Sequence, residues 1–245
     1  MFHFKQFSIE DEGATMKVGT DALLLGTLVS TESEPHRILD IGTGCGILAL
    51  IMAQRFANSK IDAIDIDTKT TTVADSNFKK SPWSDRIAAY NLSLEDFANQ
   101  VTDRRYDIII SNPPYFTNSL RNNDPRKRLA RHDDTMPLGQ LMHISSKLLN
   151  SQATTSKSAA PVVAIIIPYT LCDNAIATAS QNGLYLSSEL HIANRPSDNP
   201  KLSVLQFTKI TTEAIEPVIY HLRNNDNTYS EWYRNLAFPF LTHLS

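Results

Sequence analysis

From about residue 36 onward, short apolar runs alternate with segments of helical spacing, and few folds accept that pattern. The runs at 36–41, 61–66, 86–90, 106–111, 162–167, 184–192 and 202–210 read as strands. Helical spacing covers 20–29, 47–56, 68–80, 138–149, a stretch ending near 181, and 229–237. Such alternation predicts an α/β fold: a mostly parallel seven-stranded sheet with helices on both faces. Ile108-Ile109-Ile110 is apolar toward both sides, which predicts a central strand. The runs 184–192 and 202–210 would form a hairpin-like pair. Ligands in such sheets bind at the carboxyl ends of the strands, near the point where strand order reverses. The segments that follow strands are therefore the place to look for chemistry.

The first of these is Leu39-Asp40-Ile41-Gly42-Thr43-Gly44-Cys45-Gly46, between a strand and a helix. Glycines permit a sharp turn and close approach of a ligand to the main chain, and the helix start adds amide donors. A dinucleotide fingerprint needs its third glycine five positions after the first, where Ile47 stands. Asp40 before the loop would repel a pyrophosphate but suits the cationic amino group of a methionine moiety. Asp65, 21 positions after Gly44 at the end of the second run, can accept both ribose hydroxyls of an adenosine. Asp62 falls on the other face by alternation. A bare glycine turn with a surface acid is the bland alternative, and the joint spacing argues for an adenosyl cofactor.

The second is Ser111-Asn112-Pro113-Pro114-Tyr115, directly after the central run. Pro113 and Pro114 make the segment rigid and leave carbonyls as its backbone polar groups. The Asn112 side-chain oxygen and the Pro113 carbonyl form two acceptors aimed at one place, suited to an NH2 conjugated to a ring. Holding both hydrogens out of the ring plane frees the nitrogen lone pair and stabilises charge developing on it. Tyr115 would stack on the substrate ring, worth roughly 1–3 kcal/mol for a base. A strand-ending turn with a core tyrosine is the alternative, and it weakens when this element and the glycine loop occur together in this order.

The apolar fraction of 42% and charged fraction of 20% over 245 residues describe an ordinary globular chain, not a disordered or fibrous one. One domain over 1–245 is expected, with 1–34 an extension covering the cofactor site and 35–245 the catalytic core. The longest apolar stretch, Val162 to Ile167, is far too short for a bilayer. The first residues lack the pattern of a signal peptide, so a cytoplasmic protein without membrane contact is expected. Cys45 and Cys172 form no metal-type spacing, so neither a metal nor a disulfide is expected. The histidines are scattered and carry no assigned role. Nothing points to a large exposed apolar patch, so a monomer is expected. Trp232, Tyr233, Phe238 and Phe240 read as core aromatics. Net charge is −3, which argues against generic nucleic-acid binding. Yet Arg121, Arg126, Lys127, Arg128 and Arg131 share one short segment with a single acid, Asp124. A solvated surface is the simple reading of that segment.

These motifs resemble the class I, Rossmann-like methyltransferases, in the amino-methylating branch with Asn-Pro-Pro-Tyr. Within that branch the chain resembles the bacterial tRNA1(Val) (adenine(37)-N6)-methyltransferase family. Phe4 to Phe7, Met16 to Asp21, Asp40 to Gly46, Ser81-Pro82-Trp83, Asp107 to Tyr115, Ala130-Arg131 and Tyr229-Ser230-Glu231 carry the resemblance. It implies transfer from S-adenosyl-L-methionine to N6 of the adenine beside the anticodon of a valine tRNA. It implies that Lys17, Thr20 and Asp21 lie over the methionine end of the cofactor. An Asp that commonly contacts the cofactor adenine is replaced here by Ser93, with Glu95 and Asp96 as substitutes. The basic segment from Arg121 to Arg131 would then hold RNA phosphates while the base is extruded. Methylation of a glutamine amide in a translation factor uses the same acceptors and remains open. So do DNA adenine methylation and a module that binds cofactor or RNA without turnover.

Overall fold

The computed structural model describes residues 1–14, 19–31, 33–113, 136–151, 160–211 and 213–242. Near the start, β1 (Phe2–His3) and β2 (Ser8–Ile9) pair antiparallel. The main sheet comprises β3 (Arg37–Ile41), β4 (Lys60–Asp65), β5 (Ile87–Asn91), β6 (Ile108–Ser111) and β7 (Val162–Pro168). It continues with β8 (Tyr185–Ala193), β9 (Leu202–Thr208) and β10 (Val218–His221). Across the sheet the order is β10-β8-β9-β7-β6-β3-β4-β5. Every pairing is parallel except the two made by β9. The sheet therefore has eight strands, where the sequence predicts seven. The added strand, β10, is four residues long and lies at the edge, with Val218 and Ile219 exposed. A short edge strand needs neither alternation nor a long apolar run, so the pattern does not reveal it.

Helices cover both faces, as expected. On one face α1 (Thr20–Leu28), α2 (Ile47–Arg55), α3 (Thr68–Lys80) and α7 (Glu231–Ala237) bury Leu24, Leu25, Leu50, Ile51, Phe78 and Ala237 against Ile38, Ile110 and Ile166. On the other, α4 (Leu94–Gln100), α5 (Leu138–Leu148) and α6 (Cys172–Gln181) bury Phe97, Leu141, Met142 and Ala175 against Leu39, Ile109 and Ile165. Each large aliphatic side chain so buried contributes about 1.5–3 kcal/mol. Ile108, Ile109 and Ile110 are wholly buried because both core layers meet β6. The seven-residue α4 is too short for a periodicity signal. Its start is set by Ser93, whose Oγ accepts from the Asp96 amide at 3.1 Å.

Two consequences bear on function. The chain runs β3 to β4 to β5 toward one edge, then returns to place β6 on the other side of β3. Strand order reverses between β3 and β6, so the segments after them open a crevice at the carboxyl edge. Alternation also separates Asp62 from Asp65. Asp62 points into the core, where Oδ2 accepts from the buried Tyr106 hydroxyl at 2.7 Å and from Arg104 at 3.3 Å. No helix among the described residues is long and apolar enough to cross a membrane.

The glycine loop is seated by packing between α2 and α3. Gly46, the residue before α2, has φ of 89°, and an added Cβ there would collide with the Phe78 ring of α3. Gly46→Ala is expected to cost about 2–5 kcal/mol in urea unfolding, from roughly 1–2 of backbone strain and roughly 1–3 of overpacking. Phe78→Leu in the same chain should recover only the packing part.

Candidate functional site

The loop after β3 is fixed by hydrogen bonds to the next strand. The amides of Gly42 and Thr43 both donate to the Ile64 carbonyl at 2.9 Å. The Gly44 amide donates to Asp65 Oδ2 at 3.0 Å, and the Asp67 amide donates to Asp65 Oδ1 at 3.0 Å. Asp65 is thus held under the loop by main-chain donors on both oxygens. Gly42 has φ of 71° and open space where a side chain would stand, so the main chain itself faces the crevice.

Asp40 lies beneath this loop and is wholly buried. Its Oδ2 accepts from the Thr43 hydroxyl at 2.7 Å and from the Ala49 amide at 3.2 Å. Gly46 has no side chain to satisfy the first-turn amides of α2, and the Asp40 carboxylate does so from below. Asp40 Oδ1 has no hydrogen-bond partner among the described residues. Burial pushes the Asp40 carboxyl up to about 7, and the charge of Asp65 adds to the rise. Burial also pushes the Asp21 and Asp65 carboxyls up from their ordinary value.

Together these residues build a small open cleft, with about 540 Å³ of space once its solvent-facing mouth is included. The loop from Gly42 to Cys45 forms one wall, with Ile47 and Leu48 behind it. Gly19, Asp21 and Ala22 at the start of α1 form a second wall, and Asn112 a third. Asn112 is buried and directly follows β6, whose Ser111 hydroxyl donates to the Ile41 carbonyl at 2.8 Å. That bond locks the end of β6 to the end of β3 and holds Asn112 opposite the glycine loop. Carboxylates at Asp21, Asp40 and Asp65 make the site unfavourable for phosphate and favourable for a ligand of positive charge.

The structure thus gathers Asp21, Gly42, Gly44 and Asn112 on the cleft wall, with Asp40 and Asp65 beneath the loop. It does not bring every candidate there. Gly46 packs on Phe78 instead of lining the cleft. Thr20 is exposed one residue before Asp21 and hydrogen-bonds Tyr233. Ser93 uses its hydroxyl in capping α4, also donating to Asp96 Oδ2 at 2.6 Å. Pro113 is half-buried after Asn112. Lys17, Pro114, Tyr115, Arg121, Arg126, Lys127, Arg128 and Arg131 lie outside the described residues.

Sequence reasoning passed over Ile66, which follows Asp65 and is 55% exposed. An exposed apolar face beside a half-buried carboxylate is a surface on which a flat ring can lie, but in sequence it looks like one more strand isoleucine. Of the C-terminal aromatics, Tyr233 and Phe240 are buried and Trp232 stacks on Tyr220 at 4.3 Å. Phe238 departs from the core expectation. It is 66% exposed, with the Lys5 ammonium 3.5 Å from its ring centroid.

Comparison with known proteins gives a consistent result. Residues 14–156 match the methyltransferase small domain family. A tRNA1(Val) (adenine(37)-N6)-methyltransferase of Parabacteroides distasonis is 37% identical over 241 residues, covering 98% of this chain and 96% of that protein. The protein of the same name from Flavobacterium psychrophilum is 34% identical over 240 residues, covering 98% of each. Among solved structures, an Agrobacterium tumefaciens protein described as a predicted O-methyltransferase superposes with a TM-score of 0.68. It is 15% identical, with 89% of this chain and 96% of that chain covered, and shows likeness of fold.

The buried Asp40 gives the cleft a pH signature. The folded state keeps the Asp40 proton up to about pH 7, whereas the unfolded chain sheds it near 3.8. Between these values the folded state binds more protons, so this contribution to stability is lost as pH rises. Urea unfolding at several pH values should show Asp40→Asn gaining on the parent chain from pH 4 to pH 7 and levelling off above.

Proposed function

We propose that this chain, which belongs to the tRNA1(Val) (adenine(37)-N6)-methyltransferase family, methylates N6 of adenine 37 in a valine tRNA, using S-adenosyl-L-methionine. The observation that carries the reading is a cleft at the strand switch point with Asp21 and Asn112 on its wall and Asp40 and Asp65 beneath its glycine loop. The residues present fit the cofactor. A buried oxygen on Asp40 that is unpartnered among the described residues, the raised carboxyls of Asp21 and Asp65, and the open side of Gly42 suit a cationic ligand approaching the main chain.

In this reading Asp65 accepts the ribose hydroxyls and Ile66 offers its apolar face to the adenine of the cofactor. Lys17 and Asp21 cover the methionine end and Thr20, bonded to Tyr233, anchors their segment, so that residues 1–34 act as a lid over a core formed by the rest of the chain. Gly42, Gly44 and Gly46 shape the loop, and Asp40 supports it from below. Ser93 contributes through the α4 cap, not by direct contact. When bound, S-adenosyl-L-methionine supplies a methyl group activated by its sulfonium.

The chain's own contribution is positioning and charge stabilisation. The Asn112 side-chain oxygen and the Pro113 carbonyl accept the two hydrogens of the target amino group. They orient its lone pair and stabilise the positive charge that develops on nitrogen. Pro114 keeps the turn rigid, and Tyr115 stacks on the base. No strong base is required, because a methylated exocyclic ammonium conjugated to the ring is acidic enough to lose its proton to solvent. Arg121, Arg126, Lys127, Arg128 and Arg131 hold phosphates of the anticodon loop while the adenine enters the pocket.

Labelled methyl transfer to total tRNA from a strain lacking this gene, followed by nucleoside analysis, tests the assignment. N6-methyladenosine in a valine tRNA is expected, and Asn112→Ala should lower the rate by about 10²–10³ with cofactor binding retained. Label in protein glutamine instead would overturn the substrate and keep the catalytic turn. Arg126→Ala combined with Arg128→Ala should reduce the salt slope of tRNA binding by roughly 1.4–1.8. An unchanged slope would remove that segment from the RNA site.

A further inference from the structure

Outside the cleft, Cys172, Glu189 and His191 bring three chemically different ligand groups together. One ligand atom from each lies within 4.8 Å of the other two. Cys172 is the first residue of α6, while Glu189 and His191 sit two apart on β8 and so share a face. His191 is directly opposite Ser203 of β9 in the sheet register. Cys172 and His191 are each 5% exposed, and the Glu189 side chain is 14% exposed. The structure assigns this cluster as a binding site for a divalent transition-metal ion of the zinc type.

Three features support a metal over a simple ion pair. His191 Nδ1 lies 2.8 Å from Ser203 Oγ, and Nε2 lies 3.2 Å from Glu189 Oε1. The tautomer that donates from Nδ1 to Ser203 would free Nε2 to bind a metal, with Ser203 as the outer-shell partner that orients the ring. The 3.2 Å separation also matches the edge of a tetrahedron with metal–ligand bonds near 2.0–2.1 Å, about 3.3 Å.

Charge supplies the second feature. A thiolate, a carboxylate and a neutral imidazole around a divalent cation sum to zero, which removes the cost of burying the two anions. The third is ligand class. Sulfur, nitrogen and oxygen donors in one set favour zinc over magnesium or calcium, whose sites are built from oxygen. Such an ion would tie the start of α6 to β8 and β9. It would stiffen the carboxyl edge beyond β7, where Tyr169 packs edge-on against His191 at 4.8 Å.

Cobalt(II) titration of the full chain, stripped with chelator, reads the site directly. One equivalent should produce a thiolate-to-cobalt charge-transfer band that zinc displaces. Cys172→Ser should abolish the band, and Cys45→Ser should retain it. Glu189→Gln should weaken binding, and Ser203→Ala should lower affinity by roughly 10–100-fold. Zinc should raise the Tm of the parent chain and leave that of Cys172→Ser unmoved. If the parent chain shows no such band and elemental analysis finds no stoichiometric metal, the cluster is an ordinary hydrogen-bonded ion pair. The parent titration alone decides this even where a variant fails to fold.

Discussion

The adjacency of β3 and β6 is the constraint on which the site depends. Parallel pairing from Ile38↔Ile108 to Ile41↔Ser111 ends both strands at the same level. Whatever follows them must meet at one edge. One sequel is a glycine loop that turns into α2, and the other begins with Asn112. Neither segment contains a complete site, and Asn112 lies 65 positions after Ile47. The Ser111 bond to the Ile41 carbonyl fixes their relation, so the geometry of the crevice follows from sheet register.

Charge in the crevice is organised by burial. Asp40 is placed where its carboxylate supports α2, and the same placement removes it from water. One of its oxygens is used by the loop and the helix, and the other is left without a partner among the described residues. An arrangement of this kind is costly without a ligand and is relieved by positive charge. Asp65 sits at the opposite balance, half-buried and held by main-chain amides that keep it oriented. The two acids therefore differ in role although they belong to one loop. Asp40 supports the loop from beneath, and Asp65 stands at its edge.

Much of the site was legible because its signals are local. Glycines at three alternate positions, an acid before them, an acid at the end of the next strand, and Asn112 after a central strand all lie within short windows. Less legible were features set by the neighbours of a residue. Ser93 has the residue type to contact a cofactor, but Asp96 three positions later turns it into a helix cap. Ile66 reads as a strand interior and is exposed because β4 ends at Asp65. Phe238 reads as core and stands outside, covered by Lys5.

By itself the sequence determined the fold class, the strands that carry the loops and the chemistry written at their ends. It could do so because helical and extended periods are properties of consecutive residues. Tertiary structure alone decided the eighth strand, the burial of Asp40, and the meeting of Cys172, Glu189 and His191. Those three residues have no recognisable spacing, since one begins a helix and two lie on a strand after it. Their distance is set by how α6 packs on β8 and β9, and by the register that places His191 opposite Ser203. Such relations arise only when separate elements share a core, because burial and contact between distant segments are absent from the extended chain.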